Sequence, residues 1–202
     1  KSHALLNLSA SAGVTARRMC ALVDDVFLDY LWVESDAEHQ YEWIFHGCGQ
    51  LATSVAVEPV KGIAPHVTTN PHYGRDWSGD DSWSWVEKPM KGPQAGDWSA
   101  TWSDREGVAM QLVQSSSSGE LWTGIGGALT PPRKSPFVAN RVRSACAAFP
   151  TVVTSRRAVV SIESAPRFSD GAIGFAATVD GRRYEVSYKA DGTCGVRAAD
   201  VK

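Results

Sequence analysis

Glu38-His39-Gln40-Tyr41-Glu42-Trp43-Ile44-Phe45-His46-Gly47-Cys48-Gly49 is an alternating run that closes on glycines. A side-chain period of two puts His39, Tyr41, Trp43 and Phe45 on one face of a strand, and Gln40, Glu42, Ile44 and His46 on the other. A His and a Tyr on one face are groups that proton-transfer chemistry can use. His39 and Tyr41 are therefore the candidate catalytic pair, weighed against the plainer role of packing or capping a sheet face. His46, next to Gly47, reads as a structural, buried hydrogen-bonding residue.

Outward from this run the same texture recurs. Short β-branched and aromatic runs alternate with Gly, Pro, Asn, Asp and Ser breakers, and helical periodicity is nearly missing. The expected strands are Ala16–Val23, Val26–Val33, His39–His46, Ser54–Val57, Ser99–Trp102, Val108–Leu112, Leu121–Gly126, Phe137–Val142, Ala147–Thr154, Ala158–Glu163, Ala172–Val179, Arg183–Lys189 and Gly195–Ala198. Asp180-Gly181 and Asp191-Gly192 each sit between two such runs, as tight hairpin turns require. Many short strands with frequent turns point to a large all-β antiparallel sandwich. One domain is expected over 1–202, with a hairpin meander over 158–202. Residues 58–97, rich in Pro, Gly and Trp, read as a long excursion with one or two short strands near Ser82–Glu87. Ser115-Ser116-Ser117-Ser118-Gly119 reads as a polar turn or hairpin tip.

Composition bounds the function. The 202 residues carry a formal charge of −2, and the pI is about 6.2. No basic surface points to nucleic acid, and no apolar run is long enough to span a membrane. Cys20, Cys48, Cys146 and Cys194 contain no C-x-x-C pair, which excludes zinc-ribbon spacing. They are expected to be mostly free and buried, although two disulfides are arithmetically open.

Several stretches together resemble a known family. These are Gly13-Val14-Thr15-Ala16-Arg17-Arg18-Met19, Phe27-Leu28-Asp29-Tyr30-Leu31-Trp32-Val33, His39 through Gly47, Trp98-Ser99-Ala100-Thr101-Trp102, and Asn140-Arg141-Val142 through Phe149-Pro150-Thr151-Val152-Val153. In order and spacing they resemble the C-terminal β-sandwich of the heparinase II/III-like polysaccharide lyases, the group that includes oligoalginate lyases. The resemblance implies a supersandwich-like fold that follows an α/α-toroid. It implies that the chain is the C-terminal part of such an enzyme: a fragment, a processed chain or the smaller of two chains. It implies a periplasmic or extracellular setting and an acidic polysaccharide or oligosaccharide as partner, with no nucleic acid and no membrane. The family's His-x-His motif, its toroid residues, and the Asp and His-Asn of its metal site have no match here. Any structural, zinc-like metal is thus expected in an upstream part, and no cofactor within this chain.

Such lyases cleave beside a uronic acid by β-elimination. A base removes the C5 proton, another group offsets the neighbouring carboxylate, and an acid protonates the leaving oxygen. No position here matches the family's reacting residues. Arg17 and Arg18 are adjacent on a strand. Arg suits forked binding of a carboxylate, but at least one of the pair is expected in a salt bridge to Asp24, Asp25 or Asp29. Sugar rings stack on indoles, so Arg75, Trp77, Trp83 and Trp85 join Arg17 as substrate-binding candidates. Trp98, Trp102 and Trp122 read more readily as core filler. His66, His72 and Asp76 read as solvated loop residues rather than metal ligands. The leading expectation is the sandwich portion of a uronate-cleaving lyase, with this chain alone inactive. A non-catalytic carbohydrate-binding sandwich and part of a uronate C5-epimerase are the alternatives.

Overall fold

Alternation does build strands here, but longer ones than the breakers mark off. The computed structural model describes residues 2–11, 13–61, 86–128, 133–163, 172–189 and 191–200. Its strands are β1 (Ser2–Ser11), β2 (Val14–Val23), β3 (Val26–His46), β4 (Gln50–Thr53), β5 (Glu58–Pro59), β6 (Glu87–Ser103), β7 (Val108–Ala128), β8 (Arg133–Thr154), β9 (Val160–Glu163), β10 (Ile173–Val179), β11 (Arg182–Tyr188) and β12 (Cys194–Asp200). The chain is all-β, and every strand pairing is antiparallel.

Three pairs of expected strands merge. Val26–Val33 and His39–His46 are two halves of β3, and Val108–Leu112 and Leu121–Gly126 are two halves of β7. Phe137–Val142 and Ala147–Thr154 are two halves of β8. Ser115 to Gly119 is therefore no hairpin tip but the middle of β7. Ser99–Trp102 is the end of the 17-residue β6, which begins at Glu87 inside the expected excursion. Ser54–Val57 lies between β4 and β5 and is not a strand, while β1 was not expected. Residues 62–85 of the excursion lie outside the described residues.

The merged strands share a cause. Each is interrupted where its ladder slips, so alternation breaks without the strand ending. On β3 the slip lies between Glu34 and His39, where Ser35 to Glu38 face only Ala145 of β8. On β7 it lies between Gln114 and Glu120, and on β6 between Gln94 and Gly96. The large sheet runs β1-β2-β3-β8-β7-β6-β4, with β5 also on β6, and it bends, since Asp29 and Trp43 on either side of the β3 slip are hydrogen-bonded.

The bend folds the large sheet onto itself. One core holds Val33, Trp43, Trp98, Trp102, Leu112, Leu121, Val138 and Phe149, with Leu31 and Phe45 packed against it. Both halves of β3, β7 and β8 thus line a single interior. Trp43 and Trp102 are among the largest fully buried side chains. At ~150–250 Å² each, their burial is worth roughly 4–6 kcal/mol apiece before ordering costs. The small sheet, β12-β11-β10-β9, covers the opposite face of the first half. There Met19, Leu28, Tyr30 and Val152 meet Phe175, Tyr184 and Val186. Its β10–β11 turn has Asp180 at φ 48° and Gly181 at φ 83°, the left-handed pair that a tight hairpin needs. A third, smaller buried cluster of Trp122, Phe137 and Ala139 lies on the other face of the second half, with Val60 and Val86 packed against it.

Candidate functional site

β2 divides its two adjacent arginines by alternation. Arg18 is on the fold-over side of β2 and only partly buried, and its Nε and terminal nitrogen donate to the two oxygens of Asp29 at 2.9 and 2.7 Å. Asp29 is fully buried, and it also accepts from Trp43 Nε1 at 3.1 Å. This is the expected salt bridge. The Cys20 thiol donates to the same carboxylate at 3.4 Å. Burial pushes that thiol up to about 11, with the Asp29 charge adding to it, so it is a poor nucleophile at neutral pH.

Arg17 faces the other way, toward the small sheet. Its guanidinium carbon lies 5.2 Å from the Trp32 ring centroid and 5.1 Å from that of Tyr188. Register explains the first contact, since Arg17 is the cross-strand partner of Trp32. Tyr188 comes from the end of β11. Such cation–π contacts are worth about 0.5–1 kcal/mol each at exposed sites. Tyr188 carries no sequence signal as an Arg17 partner, because only the packing of the two sheets brings it there.

His39 and Tyr41 lie on the predicted face, just past the bend of β3. Their ring centroids are 6.2 Å apart. The Tyr41 hydroxyl donates to Ser35 Oγ at 2.9 Å, and Ser35 Oγ donates onward to Ala37 O and Ala145 O. The tyrosine thus ties the two sides of the bend together. Trp43 and Phe45 continue the face into the core, stacked at 5.7 Å. On the opposite face, His46 Nδ1 lies 3.2 Å from Ser135 Oγ, and burial holds its pKa below 6.5.

The outward face of the second half carries a charged aromatic cluster. The guanidinium of Arg141 lies 4.4 Å from the Trp122 centroid, and Lys91 Nζ lies 5.3 Å from it. Glu120 accepts from Trp122 Nε1 and from Lys91 Nζ, both at 3.0 Å. Burial alone would raise the Glu120 carboxyl, but these hydrogen bonds and the charges of Lys91 and Arg141 outweigh it and hold the carboxyl below its ordinary value. Arg141 also forks onto Glu42 Oε1, at 2.8 and 2.6 Å.

Trp98 and Trp102 are buried at 2% and 0% exposure, the filler role expected of them. Gly47 of the His-Gly pair has a packing reason: a Cβ there would lie 2.5 Å from the Trp102 indole. All four cysteines are free, but the expectation that they are buried is overturned. Cys48 and Cys146 are exposed, at the turn after β3 and at the bend, and Cys20 within β2 and Cys194 at the start of β12 are partly so. Arg75, Trp77, Trp83 and Trp85, and with them His66, His72 and Asp76, lie outside the described residues. The structure brings His39 together with Tyr41, and it places Arg17 in a different region, across β2 from the Arg18–Asp29 pair.

No known family's sequence profile matches the chain, and no curated protein matches it by sequence. Solved structures do resemble it. Heparan sulfate lyase HepC from Pedobacter heparinus aligns with a TM-score of 0.50 at 12% identity, over 92% of this chain and 26% of that one. A heparinase III aligns with a TM-score of 0.46 at 10% identity, over 98% of this chain and 25% of that one. The chain spans about a quarter of the length of these solved chains. At such identities the likeness is one of fold: nearly all of this chain is built as a quarter of heparan sulfate lyase HepC is built.

Proposed function

We propose that this chain is the β-sandwich portion of a lyase that cleaves an acidic, uronate-containing polysaccharide by β-elimination. The observation that carries the reading is the fold likeness of nearly the whole chain to about a quarter of heparan sulfate lyase HepC. The motif order read from Gly13 to Val153 is in line with it. In this reading the sandwich supports a helical toroid and forms one wall of the cleft, while the reacting groups stand mainly on the toroid. The chemistry of the described residues fits that division. The Tyr41 hydroxyl is committed to Ser35, His46 lies against Ser135, and the Cys20 thiol stays protonated. His39 and Tyr41 stay the candidates of this strand for contact with the substrate. The reading carries with it a periplasmic or extracellular location and a structural, zinc-like metal upstream of this chain. Alginate, glucuronan and heparan-type polymers are the substrates it offers.

The test is ultraviolet detection of the C4–C5 unsaturated uronate with each polymer. It is run with this chain alone and with a companion chain carrying the toroid. The expected result is product only when both are present. Product from this chain alone would overturn the assignment of the reacting groups to the toroid. No product from the pair, with binding retained, would make the chain a carbohydrate-binding module.

A further inference from the structure

We infer that Arg17, Trp32 and Tyr188 form a preorganised clamp for an oxyanion, a carboxylate or sulfate ester carried on a sugar. The two arginines of β2 differ in what they are given. Arg18 has a buried carboxylate that takes up its fork. Arg17 has two aromatic rings and no hydrogen-bond acceptor or ion-pair partner among the described residues. Glu34, two residues from Trp32 on the same face of β3, makes no bond to it.

A guanidinium held by its contacts with rings keeps its N–H donors, which lie in its own plane, for something else. Its nitrogens are not among the buried unpaired atoms, so solvent reaches them. Holding the fork in place beforehand removes much of the ordering cost of forming two parallel bonds to a carboxylate or sulfate. Trp32 is only partly buried, and its indole offers the apolar surface on which the C–H face of a sugar ring stacks. Tyr188 is buried and fixes the arrangement from the small sheet. The clamp therefore exists only when the two sheets are packed together.

The saccharide in this inference rests on the proposed function, whereas the oxyanion clamp does not. The experiment titrates the whole chain with three probes: heparan sulfate or alginate oligosaccharides, inorganic sulfate, and a neutral glucose oligomer. The readout is the NMR signal of the Arg17 side-chain Nε–H, which needs no variant. The expected result is a saturable shift with the acidic oligosaccharides, a weaker one with sulfate and none with the neutral sugar. Arg17→Gln should weaken acidic-oligosaccharide binding at least tenfold. Arg17→Lys, which keeps the charge but loses the fork, should weaken it several-fold, with unfolding curves confirming that both variants fold. Equal binding of sulfate and oligosaccharide would remove the sugar from the inference. An Arg17 signal unmoved by every acidic probe, or wild-type binding by Arg17→Gln, would overturn the clamp. Binding without lyase activity from any assembly would leave the clamp standing and sink only the proposed function.

Discussion

The indole N–H of Trp43 donates to the carboxylate of Asp29, 3.1 Å away, although the two residues are 14 apart in the same strand. Fourteen residues of straight strand would span roughly 46 Å at ~3.3 Å per residue. The bond is thus a direct mark of the bend in β3, and Asp29 joins both halves of the folded sheet to Arg18.

Removing Asp29 should therefore loosen the fold-over. Asp29→Ala strands the Arg18 guanidinium and leaves the Trp43 N–H unpaired in the core. Breaking a buried pair costs ~3–5 kcal/mol. Because Arg18 is 39% exposed, the lower end is expected in urea unfolding. Arg18→Met combined with Asp29→Leu should recover part of the loss. Wild-type stability in Asp29→Ala would remove the residue from the fold's support.

Gly47 should not tolerate a side chain. Gly47→Ala places a Cβ against the Trp102 indole and should cost about 1–3 kcal/mol through overpacking. Adding Trp102→Phe should return some of it, since the smaller ring leaves room. The same unfolding midpoint in Gly47→Ala and wild type would mean that the indole moves freely aside.

The acid limb of the stability curve should depend on Asp180. Its carboxylate accepts from the Val159 N–H at 2.8 Å and from Arg156, and these bonds hold it below its ordinary 3.8. A depressed carboxyl contributes stability that is present above 3.8 and is lost as the pH falls through the lower folded value. Thermal unfolding of Asp180→Asn should be less pH-dependent in that window than wild type. Parallel curves would contradict the assignment.

His46 should titrate low. Burial disfavours its charged form, so its folded pKa lies below 6.5. The unfolded chain then binds more protons in this range. Stability should fall as the pH drops from 6.5 toward the depressed value. Proton NMR of the His46 ring reports its pKa directly, and His46→Gln should flatten that part of the pH profile. A ring that titrates at or above 6.5 would refute the burial argument.

The strand faces were legible locally. His39, Tyr41, Trp43 and Phe45 share the face that their spacing assigns, and the Asp180-Gly181 turn sits where its residue types put it. Arg18 found Asp29 because the two stand on facing strands of one hairpin. The bends were not legible. Glu34 to Glu38 and Ser115 to Gly119 have the composition of turns, yet the chain runs on through them as strand. Only pairing with β8, far off in sequence, decides between a turn and a bulge. Tyr188 beside Arg17 was hidden for the same reason. Alternation predicts the face a residue occupies, but not which sheet will cover it.

The bend also sets an order of assembly. Beyond Ser35, β3 has β8 as its strand neighbour, and the Glu42–Arg141 bond there joins residues 99 apart. During synthesis the aromatic half of β3 therefore emerges long before the strand that pairs with it. Closing so long a loop ahead of its reward slows folding. Until then Trp43 and Phe45 stay open to other chains, and the interval before β8 arrives is when this protein is most exposed to aggregation.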